Sequence, residues 1–222
     1  IARDRMGKKP LYYYYYDNRL IFASEIKTIL QYEEIERVIS KDALVEYLVL
    51  RYIPAPRTIF TKIKKLGAGE YLVYDWKNLV IKNYWELPKF TAENEPNPIK
   101  LMGLMEDAVQ KRLVADVPIG VFLSGGLDSS AIVALMSKFS DKVKTYSVGF
   151  NMPDDELNYA KIVAEKFNTD HKEIIVDFDA MKILPKVGWH FDEPLYDPAA
   201  MPTYLMSRET AKNVKVVLAG EG

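Results

Sequence analysis

Seven residues between two apolar runs, Ser124-Gly125-Gly126-Leu127-Asp128-Ser129-Ser130, are the part of this sequence best suited to chemistry. Two adjacent glycines let a backbone turn sharply and point successive N–H groups at one anion. A helix beginning there would aim the positive end of its dipole at the same spot. The hydroxyls of Ser124, Ser129 and Ser130 add donors for phosphate oxygens. Asp128 would repel a bare phosphate, so its presence implies a bridging Mg²⁺ held by oxygen ligands. A plain strand–helix turn needs one glycine and one capping residue, which leaves most of this run unexplained. Two other phosphate-binding signatures are missing. No G-x-x-x-x-G-K-[ST] occurs, and Gly67-Ala68-Gly69 lacks the third glycine of a dinucleotide fingerprint.

Fewer candidates exist elsewhere. Absence of cysteine removes thiolate nucleophiles, disulfides and cysteine-based zinc sites together. His171 and His190 are the only histidines, too few for a multi-histidine metal centre, and both read as structural. Asp192-Glu193-Pro194 and Asp197-Pro198 have two readings, as turn formers or as groups that position an amino group or a second metal. Arg3 and Asp4 read as a buried pair shaping the hairpin rather than as catalysts. The five tyrosines at 12–16 should divide between core and surface rather than form a stacking stripe.

The elements that must position the loop follow from periodicity. Helix is expected over 99–113, strand over 118–123, helix over 129–139, strand over 143–148, helix over 155–167 and strand over 172–176. An irregular stretch then leads to a helix over 202–212 and a last strand over 214–218. Strands alternating with helices predict a parallel, doubly wound sheet whose ligands bind beyond the carboxyl ends of its strands. Ahead of this lies a β-rich part. Its strands are expected over 11–16 and 19–23, turned by Asp17-Asn18, and over 70–75 and 79–84, turned near Lys77-Asn78. A helical run over 25–30 comes between, then a helix from 41 to about 52, capped by Ser40 and ended by Pro54 and Pro56. Three prolines and two asparagines over 87–98 read as a linker. The expected division is 1–86, a linker over 87–98, and 99–222.

The 222 residues carry 30 basic and 31 acidic side chains, a net charge of −1 that offers no footprint for nucleic acid or an anionic membrane. The longest mainly apolar stretch, 43–50, is far short of the roughly 20 residues that span a bilayer. With no signal peptide at the start, these points favour the cytoplasm. Ile1 stands inside a strand pattern, and Gly220-Glu221-Gly222 follows directly on another, so both ends read as interior points of a larger protein.

The loop resembles the pyrophosphate loop of the N-type ATP pyrophosphatases. Its surroundings are similar to asparagine synthetases: Asp116-Val117-Pro118-Ile119-Gly120 before it, Ser147-Val148-Gly149-Phe150 and Asp155-Glu156 with Tyr159-Ala160 after it, and Val217-Leu218-Ala219-Gly220-Glu221-Gly222, where Ala219 replaces the usual serine. The stretches 3–12, 22–27 and 52–60 resemble the glutaminase domain of class II glutamine amidotransferases. The resemblance covers essentially the whole chain. It implies the closing half of an N-terminal-nucleophile β-sandwich, then the opening half of an ATP pyrophosphatase domain.

The implied reaction converts aspartate to asparagine through aspartyl-AMP, with ATP and Mg²⁺ and with nitrogen from glutamine or ammonia. It places pyrophosphate on Ser124, Gly125, Gly126, Ser129 and Ser130, Mg²⁺ on Asp128, adenosine against Phe122, Leu123 and Val148, and the nucleotide and acyl-adenylate at Gly220 and Glu221, with Leu127 also among the cofactor-binding residues of the loop. Asp128 and Glu221 are the implied catalytic pair. The family's glutaminase cysteine lies upstream of this sequence, and a further aspartate and a lysine of the synthetase lie downstream. Where well-studied members carry threonine and arginine, this sequence has Leu195, Tyr196 and Pro198. A relative activating another carboxylate and a non-catalytic ATP- or AMP-binding module stay open as alternatives. The oligomeric state is open too, a homodimer being one option.

Overall fold

The computed structural model describes residues 1–89, 97–149, 156–176 and 179–220. It is a mixed α/β structure whose contacts divide into two units, Ile1–Thr91 with Leu184–Asp197, and Ala92–Ile183 with Pro198–Gly222.

The first unit is antiparallel. Strands β1 (Tyr12–Tyr16) and β2 (Arg19–Ala23) form a hairpin whose two turn residues, Asp17 at φ 49° and Asn18 at φ 53°, both adopt the left-handed conformation that a tight two-residue turn demands. Period-two alternation splits the tyrosines between two faces, both of them covered rather than one core and one surface, and of the five only Tyr16 is exposed. Tyr13 joins Leu66 and Leu72 on one face, and Tyr14 joins Ile26, Ile29, Ile35 and Ile63 on the other. A short helix, α1 (Ile26–Ile29), follows, and Ser40 caps α2 (Lys41–Leu50) by accepting the Ala43 N–H. Helix α2 ends before the prolines reach it. Arg51, at φ 68°, turns left-handed and donates its N–H to the Tyr47 carbonyl, so the stop expected at Pro54 is set by Arg51. Strand β3 (Ile63–Lys65), which no pattern announced, pairs with β1. Strands β4 (Glu70–Tyr74) and β5 (Leu79–Asn83) form a second hairpin, its turn held by Asp75 accepting the N–H groups of Lys77 and Asn78. Arg3 and Asp4 act on backbone rather than on each other. Arg3 donates to the carbonyls of Gly7, Lys9 and Leu66, while Asp4 accepts from Lys8 and Lys9.

The second unit carries helix α3 (Pro98–Arg112), capped by Asn97, then β6 (Ile119–Phe122), α4 (Leu127–Met136), β7 (Lys144–Gly149), α5 (Leu157–Lys166) and β8 (Asp170–Ile175). Helix α6 (Ala180–Phe191) comes next, then α7 (Ala200–Thr210) and β9 (Val216–Leu218). The four strands form one parallel sheet in the order β8-β7-β6-β9. Its core packs Val121 and Leu123 against Val109, Val133, Leu135, Met136, Ala160 and Ala164.

Two departures from the periodicity matter. Helix α4 begins at Leu127, two residues earlier than expected, which puts Asp128 in its first turn. Helix α6 occupies about half of the stretch read as irregular. Pro185 and Gly188 inside it break the local signal, while Ile183 and Val187, four apart, are buried on one face. The start expected at 155 and most of the expected linker fall outside the described residues. Among those described, no helix is long and apolar enough to cross a membrane.

Candidate functional site

Strand β6 ends in apolar Phe122, and the chain must reverse into α4 within a few residues. Gly125 makes the reversal at φ +83°. A Cβ there would lie 2.5 Å from the Tyr159 carbonyl carbon and 2.6 Å from the Ala160 nitrogen, so the loop passes directly against the first turn of α5. Gly220, just past β9, is needed for the same reason. Its Cβ would meet the Ser129 nitrogen at 2.6 Å. The loop is thus wedged between α5 and the chain following β9, and neither glycine can take a side chain without moving backbone.

The serines divide their work. Ser129 is buried, and its hydroxyl is turned onto the loop itself, 3.0 Å from Ser124 Oγ and 3.3 Å from both the Ser124 nitrogen and the Gly126 carbonyl. Ser124 Oγ also accepts the Gly126 N–H at 3.3 Å. Ser130 donates its N–H to the Gly126 carbonyl at 3.0 Å, the first turn of the helix ladder. Gly126 is the N-cap of α4 and supplies no side chain, so the N–H groups of Leu127, Asp128 and Ser129 have no partner within the helix. Those donors and the dipole of a ten-residue helix favour an anion at this end.

The loop lines a cavity of about 540 Å³ at the carboxyl ends of β6 and β7. Phe122, Leu123, Ser124, Gly126, Leu127, Asp128, Ser129, Val148 and Gly220 all border it. Gly125 and Ser130 stand behind the lining, and Glu221 lies outside the described residues. The wall also holds Glu156 and Leu157 at the start of α5, and Thr203 and Met206 of α7. Glu156 entered the sequence reading only within a motif of resemblance and without a role at the site, and the other three were not singled out. Residues 203 and 206 are three apart on one helix face, and Glu156 opens a helix at the strand edge, signals that only a known sheet order could have used.

The donor set suits Mg²⁺ held largely by a ligand's own oxygens. Asp128 and Glu156 are the two exposed carboxylates on the cavity wall, and no group of three or more metal-ligating side chains occurs among the described residues. Magnesium gives up its waters reluctantly and is held by one or two protein carboxylates together with a ligand's phosphates, and this wall can offer the carboxylates. Asp192 and Glu193 are elsewhere, in the first unit, and do not border this cavity. His171 holds the far edge of the sheet, its Nδ1 2.7 Å from Thr145 Oγ1. Burial keeps its imidazole below its ordinary pKa, an effect only partly offset by Glu173 4.0 Å away.

A parallel sheet whose first loop presents backbone donors at a helix start beside a cavity, preceded in the chain by an antiparallel unit, defines a two-part α/β protein. Comparison with known proteins gives the class its family. The chain belongs to the asparagine synthase family, whose model matches residues 100–222, while a glutamine amidotransferase domain model matches residues 1–85. A protein of Methanocaldococcus jannaschii named as a glutamine-hydrolyzing asparagine synthetase is 41% identical over 100% of this chain and 45% of its own length. Asparagine synthetase 1 of Bacillus subtilis is 36% identical over 100% of this chain and 36% of its own. Asparagine synthetase B of Escherichia coli is 31% identical over 100% of this chain and 39% of its own. The chain therefore spans less than half the length of these relatives.

Proposed function

We propose that this chain is the central part of a glutamine-dependent asparagine synthetase that converts aspartate to asparagine and splits ATP to AMP and pyrophosphate. In this reading residues 1–86 are the closing half of an N-terminal-nucleophile sandwich, 87–98 a linker, and 99–222 the opening half of a doubly wound ATP pyrophosphatase domain. The observation that carries it is the cavity where the N–H groups of the first turn of α4, Asp128 and the end of β6 converge.

ATP enters with its adenosine against Phe122, Leu123 and Val148 and its β- and γ-phosphates on the loop. The aspartate side-chain carboxylate attacks the α-phosphorus; the bond to the bridging oxygen breaks, and pyrophosphate takes the electron pair. The N–H groups of residues 127–129 and the Ser124 hydroxyl hold the charge that develops on that leaving group, which is where preformed dipoles lower a barrier most. Ser129, tied to Ser124 and Gly126, keeps those donors in place. Bound Mg²⁺, held by Asp128 and phosphate oxygens, would neutralise part of the same charge. Ammonia then attacks the acyl carbon of aspartyl-AMP, AMP leaves, and a carboxylate at Glu221 takes the surplus proton.

The test is pyrophosphate release by the full-length protein given ATP, Mg²⁺, ammonium and a panel of carboxylic acids. Ammonium bypasses the glutaminase step. Release that requires aspartate, with AMP and asparagine as products, is expected. Release with another acid only would keep the chemistry and change the substrate; ATP binding without release from any acid would overturn the reading.

A further inference from the structure

The paired part of β6 ends at Phe122, opposite Tyr146 of β7, and the loop begins at Ser124. Leu123, between them, is buried, so its backbone N–H and carbonyl need partners inside the protein. The N–H donates to the Tyr146 carbonyl at 2.8 Å. The carbonyl is taken by a side chain, the hydroxyl of Ser147, which donates to it from the next position along β7. The nitrogen of the same peptide unit belongs to Ser124, and it donates to Ser129 Oγ at 3.3 Å. Two hydroxyls, one from β7 and one from α4, therefore hold the Leu123–Ser124 peptide at its opposite edges.

Ser147 is 3% exposed and Ser129 7% exposed. A hydroxyl buried on a strand of a parallel sheet carries a desolvation cost that an alanine or valine would avoid, and a hydrogen bond is what offsets it. The pairing of β7 with β8 runs through backbone, with Ser147 opposite Glu173, and makes no use of the hydroxyl. The Leu123 carbonyl does. A trans peptide points its C=O and N–H in opposite directions, so the two contacts specify the same orientation of the plane. Were that plane to turn over, Ser129 would meet a carbonyl in place of a donor. Its bonds to Ser124 Oγ at 3.0 Å and to the Gly126 carbonyl at 3.3 Å would then be redrawn.

We propose that Ser147 is a positioning residue for the ATP-splitting step: its hydroxyl fixes the Leu123–Ser124 peptide, and through it the donors that meet the leaving pyrophosphate. This rests on the asparagine synthetase reading above. Ser147 borders the cavity, but its one hydroxyl proton is engaged by the Leu123 carbonyl, so it acts through the loop rather than on the substrate.

The test compares the full-length protein with its Ser147→Ala, Ser147→Cys and Ser147→Thr variants in ammonium-driven, aspartate-dependent pyrophosphate release. Alanine leaves the buried Leu123 carbonyl without this donor, cysteine offers a weaker one in nearly the same shape, and threonine keeps the hydroxyl. For Ser147→Ala, kcat should fall about tenfold to a hundredfold, the upper figure being what a reacting group misplaced by an ångström costs. Pyrophosphate added as product should inhibit about tenfold more weakly, the equivalent of one hydrogen bond to a charged group. KM for aspartate should stay within about twofold, because positioning does not act through uniform substrate binding. Ser147→Cys should fall between, and Ser147→Thr should restore both kcat and inhibition to within about threefold of the unaltered protein. Should Ser147→Ala fail to fold, Ser147→Cys against Ser147→Thr makes the same comparison. Unchanged kcat and inhibition in Ser147→Ala, even with a lower melting temperature, overturn the positioning role. So does a loss that neither cysteine nor threonine relieves. No release by the unaltered protein overturns the synthetase reading and this role with it, whereas release that the variants leave unchanged removes the positioning role alone.

Discussion

Gly125 combines a left-handed backbone with a neighbour too close for any side chain, and the two effects reinforce each other. Gly125→Ala should therefore cost about 1–3 kcal/mol for the conformation alone, and the Tyr159 backbone at 2.5 Å forces a further shift of the loop. A lowered melting temperature is expected together with at least a hundredfold loss of pyrophosphate release, about the effect of misplacing a reacting group by an ångström. A variant with normal release would show that the loop's path is not what the chemistry uses. Asp128 poses the opposite case, because its side chain is exposed at a helix start. Asp128→Asn should leave the thermal unfolding curve in place while Mg²⁺-dependent ATP turnover falls below detection. Turnover at the normal rate would remove Asp128 from the site. Removing the metal with a chelator should have the same effect on the unaltered protein.

At the scale of elements, caps and edges carry the testable content. Ser40 accepts the Ala43 N–H at 3.3 Å, and α2 has no other side-chain cap at that end. Ser40→Ala should lower the stability of the first unit by about 1 kcal/mol in a denaturant titration. His171 ties β8 to β7 through Thr145, and burial lowers its pKa. The sign follows from where the proton binds. Above pH 6.5 the imidazole is neutral folded and unfolded, and contributes no pH dependence; below it the unfolded chain takes up a proton that the folded one resists. Stability should fall as pH drops from 6.5 through the lowered folded value, and His171→Gln should flatten that part of the curve. An unchanged slope in the variant would assign the pH dependence to other groups. Helix α6 shows why elements are harder to read than sites. Pro185 and Gly188 are breakers in any local scheme, yet Ile183 and Val187, four apart, are both buried on one face, and burial of that kind can outweigh the local penalty.

At the scale of the whole molecule, Asp192 and Lys27, far apart in the chain, form a nearly dry ion pair at 3.0 Å inside the first unit. Removing one partner strands the other in a nearly dry place. Asp192→Leu alone should thus destabilise by on the order of 2 kcal/mol, below the 3–5 of a fully buried pair because Lys27 keeps Glu25 and some water. Pairing it with Lys27→Met should recover much of that loss in the same unfolding experiment. A double variant worse than the sum of the singles would mean that the site needs its charges for folding.

Much of the candidate site was legible without coordinates. The glycine pair, the acidic residue and the serines are contiguous, so the expectation of an anion there follows from short-range geometry: backbone freedom, helix polarity and donor chemistry within seven residues. The hairpin turned by Asp17 and Asn18, the cap at Ser40 and the alternation of β and α are equally local. What depended on the tertiary structure involves residues far apart in the chain. Glu156, Thr203 and Met206 reach the cavity because the sheet runs β8-β7-β6-β9, an order that periodicity does not contain. Ser129 turned out to hold the loop rather than face outward. Asp192 and Glu193 read equally well as turn formers or ligands, because whether a carboxylate meets water, metal or lysine depends on segments 130 to 170 positions away. Local steric and dipolar rules act over a few residues and are written in sequence; desolvation and charge pairing act across space, and only the folded chain decides them.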